Sequence, residues 1–198
     1  MNATARRFSV CVYCGSRPGQ AAAYLAAARA LGQAIGRRGW RLVYGGGHVG
    51  LMGAVADATL AAGGEVLGVI PERLKALEVG HEGLSELRVV GTMHERKRIM
   101  AEQADAFVAL PGGIGTFEEL FETWTWRHLG YHDQPIGLLN VAGFFDPLLA
   151  FLAHTLAEGF IDNEQQGMLT VEKDGARLLD QLHAQARLAA RPEDYRQV

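Results

Sequence analysis

The sequence has few of the features that mark several large classes of protein. Its 198 residues include only two cysteines and six prolines, and 19 lysines and arginines stand against 22 acidic residues. A net charge of −3 without a basic stripe is not typical of nucleic-acid binders, which need positive charge for the phosphates. No apolar run approaches the roughly 18 residues of a membrane span. We therefore expect neither a nucleic-acid partner nor a membrane.

The cysteines and the amino-terminal segment both indicate the cellular compartment of the protein. The segment MNATARRFSVCVYCG lacks the apolar core and small-residue cleavage site of a signal peptide. Cys11 and Cys14 lie on a strand segment, where their odd spacing places the side chains on opposite faces, so we predict buried thiols rather than a redox pair. There is no second cysteine pair and no H-E-x-x-H, and His128 and His132 are interpreted as surface histidines in a loop. We expect a cytoplasmic protein without a metal.

Short apolar strands alternate with helices along the chain. Strands are predicted at residues 8–13, 41–44, 65–70, 87–90, 106–110 and 136–140, with a further edge strand at 168–171. Helices are predicted from about 20 to 38 and at 51–62, 93–104, 116–129 and 147–158. This alternation predicts an α/β fold, with a mostly parallel sheet between two layers of helices. Because no linker or repeat interrupts it, we expect one domain over residues 1–198, with a polar tail from about residue 191.

Glycine is abundant, with 25 residues, and a first glycine loop follows the second predicted strand. Residues 45–50 read GGGHVG, which satisfies the G-x-G-x-x-G of dinucleotide sites. That fingerprint normally follows the first strand, and the candidate ribose acid, Glu72, comes directly after Pro71. We therefore prefer a nucleotide-sized ligand near this loop and keep NAD as a minor alternative. A tight turn with close helix–strand contact also explains the glycines.

A second glycine loop, PGGIGT at residues 111–116, lies between a strand and a helix. Glycine allows backbone N–H groups to turn toward an anion, and a helix N-terminus adds partial positive charge. Because no lysine follows the last glycine, this is not a Walker A loop. Thr116 and Glu119 also have the spacing of a capping box, which gives Glu119 a structural as well as a chemical interpretation.

The helix after this loop favours a chemical role for Glu119. An apolar stripe of Phe117, Leu120, Phe121 and Trp124 is predicted to face the core. Trp126 lies on the same side as Glu119, which predicts that a ligand cleft or another subunit covers that side. A partly desolvated carboxylate beside an anion site is a common arrangement for catalysis.

The preceding helix, from about Met93, supplies cations. Arg96 and Lys97 flank its apolar stripe of Met93, Met100 and Ala104, whereas Arg98 points to solvent. Cations in a first helical turn oppose the helix dipole, and on the inward side they also lose water. An anionic ligand would relieve both costs.

These segments together resemble a known family. PGGIGTFEE at residues 111–119 and MHERK at 93–97, with VYCGS and VYGGGHVGLMG, are similar to the Lonely Guy family of cytokinin riboside 5′-monophosphate phosphoribohydrolases, whose members were often labelled lysine decarboxylases. The similarity covers about residues 10–168. It implies a Rossmann-like, doubly wound fold, a homodimer, and cofactor-free hydrolysis of the N-glycosidic bond of a purine nucleoside monophosphate such as AMP.

The resemblance also implies roles for individual residues. The catalytic pair falls on Arg96 and Glu119, and the substrate contacts fall on Lys97, Gly112, Gly113, Gly115, Thr116, Glu78 and Thr125. Breaking a ribosyl–base bond develops positive charge on the sugar, which the Glu119 carboxylate would stabilise, or it would orient the attacking water. Arg96 would hold the phosphate or assist departure of the base, and the sequence does not separate these roles.

Two alternatives remain. A molybdenum-cofactor carrier of the same fold would bind a phosphorylated pterin without hydrolysis. A decarboxylase would need pyridoxal phosphate on Lys75, Lys97 or Lys173, the only lysines in the chain, and none of them lies in a recognisable cofactor motif.

Overall fold

Seven strands form a single sheet in the computed structural model, which describes residues 7–75, 80–189 and 195. They are β1 Ser9–Tyr13, β2 Arg41–Tyr44, β3 Glu65–Pro71, β4 Glu86–Val90, β5 Ala106–Ala109, β6 Ile136–Leu139 and β7 Leu169–Glu172. Neighbouring strands are parallel throughout, in the order β4-β3-β2-β1-β5-β6-β7. The prediction of a doubly wound parallel α/β sheet is confirmed.

Helices connect the strands. They are α1 Ala22–Arg37, α2 Gly50–Ala61, α3 Glu72–Lys75, α4 Met93–Glu102, α5 Ile114–His128, α6 Asp146–Ala157, α7 Asn163–Gly167 and α8 Gly175–Ala186. In the part of the chain that the structure describes, no helix is both long enough and apolar enough to cross a membrane.

The sheet separates two apolar cores. One face buries α1, α2 and α8, through residues such as Leu31, Val55 and Leu182. The other face buries α4, α5 and α6, through residues such as Leu120 and Leu152. Each face thus carries a helical layer, because strands buried on both sides need apolar partners on both.

The two cysteines confirm the predicted strand register. Cys11 belongs to the core under α4 and α5, and Cys14 to the core under α1 and α2. Both cysteines are buried thiols. Burial raises the pKa of the Cys11 thiol far above its ordinary value, which leaves it uncharged and inert.

The direction of winding reverses between β1 and β5. The chain adds β2, β3 and β4 on one side of β1, then returns to place β5, β6 and β7 on the other. The segments after β1 and β5 lie side by side, where the N–H of Gly15 donates to the carbonyl of Pro111 at 3.1 Å. Ligands of open parallel sheets bind in the crevice at such a reversal.

His132 departs from the prediction of a surface loop. Its ring is 1% exposed, Nε2 donates to the carbonyl of Thr123 at 2.9 Å, and Tyr195 stacks on it at 5.8 Å between centroids. Burial lowers the pKa of His132 to about 4. His128, the last residue of α5, is exposed as predicted. Of the predicted polar tail only Tyr195 lies among the described residues, and it is buried.

Candidate active site

A cavity of about 310 Å³ opens where the winding reverses. Its walls come from the segments after β1 and β5, from α2 and α3, and from the facing turns of α4 and α5. Residues that line it include Ser16, Met52, Leu74, Met93, Arg96 and Glu119. The cavity therefore collects residues from distant parts of the sequence at the carboxyl ends of the strands.

Arg96 and Glu119 face each other in this cavity. Arg96 Nη2 lies 4.0 Å from Glu119 Oε1, and the two side chains are 6% and 13% exposed. The same Nη2 donates to the carbonyl of Gly45 at 3.3 Å. The guanidinium packs directly on Gly45, and a side chain at that position would collide with it. The first glycine loop thus makes room for Arg96.

The start of α5 differs from the predicted capping box. The helix begins at Ile114, its N-cap is Gly113, and no side chain caps it. Thr116 is therefore the third helical residue rather than the cap, and the capping interpretation of Thr116 and Glu119 is wrong. The first N–H groups of this helix thus have no side-chain cap, and their residues Ile114, Gly115 and Thr116 line the cavity, as an anion site would require.

The glycines of this turn have different reasons to be glycine. A Cβ on Gly112 would collide with the side chain of Thr116. A Cβ on Gly113 or Gly115 would have no protein atom within 4 Å. Packing explains the first glycine only, and the other two leave open space at the cavity.

Lys97 lies beside the cavity with its ammonium already engaged. Nζ donates to Glu118 at 2.6 Å and to Glu122 at 2.8 Å, which ties α4 to α5. Desolvation lowers the pKa of Lys97, but the two carboxylates raise it by more, so that the net shift is upward. A Schiff base needs a neutral amine, and Lys75 and Lys173 are exposed on α3 and beyond β7. The lysines of this chain therefore do not fit pyridoxal phosphate.

Three predicted substrate contacts within the described residues, Lys97, Gly112 and Thr125, are not among the residues that line this cavity. Thr125 lies in a separate apolar groove with Phe121, Trp124, Phe151 and Phe160, and its hydroxyl donates to the carbonyl of Phe121 at 2.7 Å. Glu78 lies outside the described residues. By contrast Gly113, Gly115 and Thr116 line the cavity with the catalytic candidates.

The predicted helix faces need two corrections. Phe121 is 37% exposed rather than part of the core, because it lies at the edge of the apolar groove. Met93 is 41% exposed and lines the cavity instead of packing inward. Trp126, half-buried, contacts Tyr195 of the same chain, with ring centroids 6.2 Å apart, a contact that the helix pattern did not predict.

A second, larger cavity of about 520 Å³ borders the glycine turn that precedes α5. It is lined by the segment Gly15–Gly19, by Tyr24 and Phe144, and by Gly112 and Ile114. Sequence reasoning overlooked the segment after β1, although its position at the end of the central strand was the signal that could have found it.

Comparison with known proteins finds similar sequences over most of the chain. A family model described as "possible lysine decarboxylase" matches residues 52–182. A cytokinin riboside 5′-monophosphate phosphoribohydrolase of Rhodococcoides fascians is 52% identical over 167 residues, 84% of each chain. An enzyme of the same name from Arabidopsis thaliana is 46% identical over 183 residues, 92% of this chain and 86% of its own.

Solved structures share the architecture at lower identity. The molybdenum cofactor binding protein of Rippkaea orientalis superposes with a TM-score of 0.70 over 91% of this chain and 98% of its own, at 21% identity. The molybdenum cofactor carrier protein of Chlamydomonas reinhardtii gives a TM-score of 0.68 over 90% of this chain and 99% of its own, at 24% identity. At these identities the likeness shows the fold alone.

Proposed function

Since this chain belongs to the family of the cytokinin riboside 5′-monophosphate phosphoribohydrolases, we propose that it hydrolyses the N-glycosidic bond of a purine riboside 5′-monophosphate. Water adds its hydroxyl to C1′ of the ribose and its proton to the base, so that the products are ribose 5-phosphate and the free base. The enzyme is a hydrolase, and its substrate is a small nucleotide of the cytokinin type or AMP.

The pair of Arg96 and Glu119 is the observation that carries this proposal. As the C1′–N bond lengthens, positive charge develops on the sugar, and a fixed carboxylate stabilises it best where water is scarce. Glu119 is such a carboxylate, because its side chain is only 13% exposed. Arg96, 4.0 Å away and fixed on Gly45, holds the carboxylate in place and lies where it can also meet the nucleotide.

We place the 5′-phosphate at the first turn of α5. Gly113, Gly115 and Thr116 offer backbone N–H groups there, and the helix dipole favours an anion. Glu119 lies one turn further along the same helix, so a phosphate bound at the turn sets the ribose beside the carboxylate. Binding energy from a group that does not react then positions the bond that does.

Three further residues are proposed to contact the substrate. Lys97 acts from its position between Glu118 and Glu122, and Glu78 contributes from the connection after α3. Thr125 lies in the apolar groove outside the cavity, so it reaches a nucleotide only across a contact between two copies of the chain. We therefore propose a homodimer as part of the same function.

The location of the enzyme is also part of the proposal. Two buried thiols suit the reducing cytoplasm, where disulfides are rare. Cell fractionation, with the protein detected by antibody, tests this expectation, and recovery in a secreted fraction would contradict it.

The decisive experiment compares the same substitution at two glutamates. Glu119→Gln keeps the size of the side chain and removes the charge, so we expect kcat for AMP to fall by about a hundredfold or more. Glu158→Gln makes the same change at an exposed position after α6, away from the cavity, and should retain most of the activity. Base and ribose 5-phosphate are separated by chromatography, and far-ultraviolet circular dichroism checks that both variants fold.

Two results would overturn the proposal. Equal rates for Glu119→Gln and the unaltered chain would remove the carboxylate from the chemistry. Absence of base release from every riboside monophosphate, together with pterin absorbance in the purified protein, would instead indicate a carrier.

A further inference from the structure

Three side chains that the proposed reaction does not use meet beside the first glycine loop. His48 belongs to that loop, Asp57 to α2, and His81 to the connection between β3 and β4. The carboxylate of Asp57 lies 2.8 Å from Nε2 of His81 and 3.2 Å from Nε2 of His48. The two imidazole rings are 4.0 Å apart between centroids. These three residues form the His–Asp–His cluster.

The hydrogen bonds of His81 determine which of its nitrogens carries the proton. The backbone N–H of Gly83 donates to Nδ1 at 3.1 Å, so Nδ1 is an acceptor. A neutral imidazole has one N–H, which must then be at Nε2, where it donates to Asp57. The side chain of His81 is 7% exposed, whereas that of Asp57 is 57% exposed, so the cluster has a buried imidazole and a carboxylate open to solvent. The observed geometry therefore requires a neutral His81.

This arrangement suits a proton better than a metal ion. One ligand atom from each of the three residues lies within 4.8 Å of the others, as a metal site would require. A histidine that binds a metal normally donates its second ring N–H to an acceptor. Nδ1 of His81 instead faces a donor, and its Nε2 has no lone pair to offer.

The cluster lies where the β3–β4 connection docks on the glycine loop. The N–H of His81 donates to the carbonyl of Gly46 at 3.0 Å, and Gly80 forms a β-bridge with Gly47. The connection begins with α3, whose Leu74 lines the candidate active site. At the other end of the docked loop, the carbonyl of Gly45 accepts from Arg96. The docking contact thus adjoins the site on two sides.

We propose that the His–Asp–His cluster is a proton-sensitive latch, which holds the β3–β4 connection on the glycine loop and so positions Leu74 and Arg96 for the nucleotide. His81 is the positioning residue of this latch. The inference rests on the proposed hydrolysis, because it assigns the latch to the same cavity.

Acid opens the latch through the histidines. A proton on Nδ1 of His81 would face the N–H of Gly83, which removes that hydrogen bond. A proton on both rings would place two cations side by side with one carboxylate to balance them. Partial burial raises the pKa of Asp57, but the hydrogen bonds and the charges of His81 and His48 together lower it by more, so Asp57 remains charged. The other ionisable neighbours are Lys75 of α3, which lies against Gly80, and Glu82 in the same segment.

The kinetic test uses His81→Gln, which keeps an N–H for Asp57 and cannot take up a proton. Between pH 7.5 and 5.5 we expect the KM of the unaltered enzyme for AMP to rise at least about threefold more than that of the variant, with similar kcat. Protonation of the substrate phosphate changes the KM of both proteins equally, so it cancels when their rises in KM are divided by one another. The exposed His154→Gln of α6 is the matched control and should follow the unaltered enzyme. An identical KM profile for His81→Gln would overturn the latch.

A second test does not depend on turnover. Backbone hydrogen exchange, corrected for intrinsic rates, should show that residues 80–83 lose protection at pH 5.5 in the unaltered chain and not in His81→Gln. Calorimetric titration of the full chain with zinc chloride should show no site that His81→Gln removes, and such a site would overturn the proposal. If the unaltered chain released no base, the proposed function would fail, and hydrogen exchange would still decide the latch.

Discussion

The glycine residues at the start of α5 are explained by two different requirements, close packing of the fold and space for a ligand. Gly112 is required by the fold, because any side chain there would collide with Thr116. Gly113 and Gly115 face open space, and nothing in the described protein prevents a methyl group at either position. Their lack of a side chain is therefore best explained by the phosphate proposed for that space.

This explanation predicts opposite effects on stability and binding in one variant. Gly115→Ala should raise the free energy of unfolding by up to about 1 kcal/mol, because alanine favours the helix more than glycine does. The added methyl group should also raise KM for AMP about tenfold, because it occupies the ligand's space. Urea unfolding and steady-state kinetics measure the two effects.

Gly167→Ala in α7 is the matched control. A Cβ on that glycine would also meet no atom of the described chain within 4 Å, and the glycine lies away from the cavity. Its substitution should leave KM unchanged. Equal KM values for Gly115→Ala and the unaltered chain would show that the turn does not hold the substrate.

The buried His132 predicts a loss of stability in acid. Burial lowers its pKa from 6.5 to about 4, with a smaller contribution from the charge of Arg127 and in spite of the hydrogen bond to Thr123. The unfolded chain therefore takes up a proton below about pH 6.5 that the folded chain refuses until about pH 4. Stability present at neutral pH is lost across that interval, by at most about 3 kcal/mol.

Urea unfolding at pH 7 and pH 4.5 measures this effect. His132→Gln keeps a donor for the carbonyl of Thr123 and cannot be protonated, so its stability should fall less over the same interval. His154→Gln, at an exposed position, should behave like the unaltered chain. The same fall in all three proteins would assign the acid sensitivity to other groups.

For single residues, the sequence predicted side-chain burial correctly where a helix has one clear inward face. Arg96 and Lys97 were predicted to point inward, and both are buried. The contact of Trp126 with Tyr195 could not be predicted in this way. Tyr195 lies 69 positions further along the chain, and no local pattern contains that contact. His81 and Asp57 pair across 24 positions for the same reason.

Elements with strong periodicity were predicted within about two residues of their ends. β2 was predicted at 41–44 and is found at Arg41–Tyr44, and the helix predicted at 116–129 is Ile114–His128. α3 and α7 were not predicted, because helices of four and five residues show too little of a 3.6-residue repeat. β7 was predicted as an edge strand at 168–171 and lies at the edge, at Leu169–Glu172.

The packing of α1 on α2 predicts a severe effect from a single methyl group. A Cβ on Gly32 would collide with the carbonyl of Val55 and lie 2.9 Å from the Cβ of Ala58. Gly32→Ala should therefore lower the free energy of unfolding by about 1–3 kcal/mol, because the two helices must move apart. Gln33→Ala, on the exposed side of α1, should change it by less than about 0.5 kcal/mol. Urea unfolding measures both, and equal stability would contradict the close contact.

The whole molecule presents an apolar groove that the described chain does not cover. Phe151 and Phe160 are 59% and 82% exposed, and they line the groove together with Thr125. Exposed apolar surface of this kind usually marks an interface. This supports the proposed homodimer, in which the groove of each copy contacts the other copy beside its cavity.

A paired substitution tests that arrangement. Phe151→Ser with Phe160→Ser should shift the protein from dimer to monomer in sedimentation equilibrium and should raise KM for AMP, because Thr125 would no longer approach a neighbouring site. Leu188→Ser, at another exposed apolar residue outside the groove, should leave the mass unchanged. A monomeric unaltered protein with full activity would refute the homodimer.

Strand order has a consequence for the order in which a ribosome completes the molecule. Arg96 emerges with the half that adds β2 to β4 beside β1, whereas Glu119 emerges after β5 has joined the opposite edge. Domains fold from the amino terminus during synthesis at about 5–20 residues per second. The arginine's half of the cavity thus leaves the ribosome before the glutamate's half, and the cavity is complete only when the second half of the sheet closes onto the first.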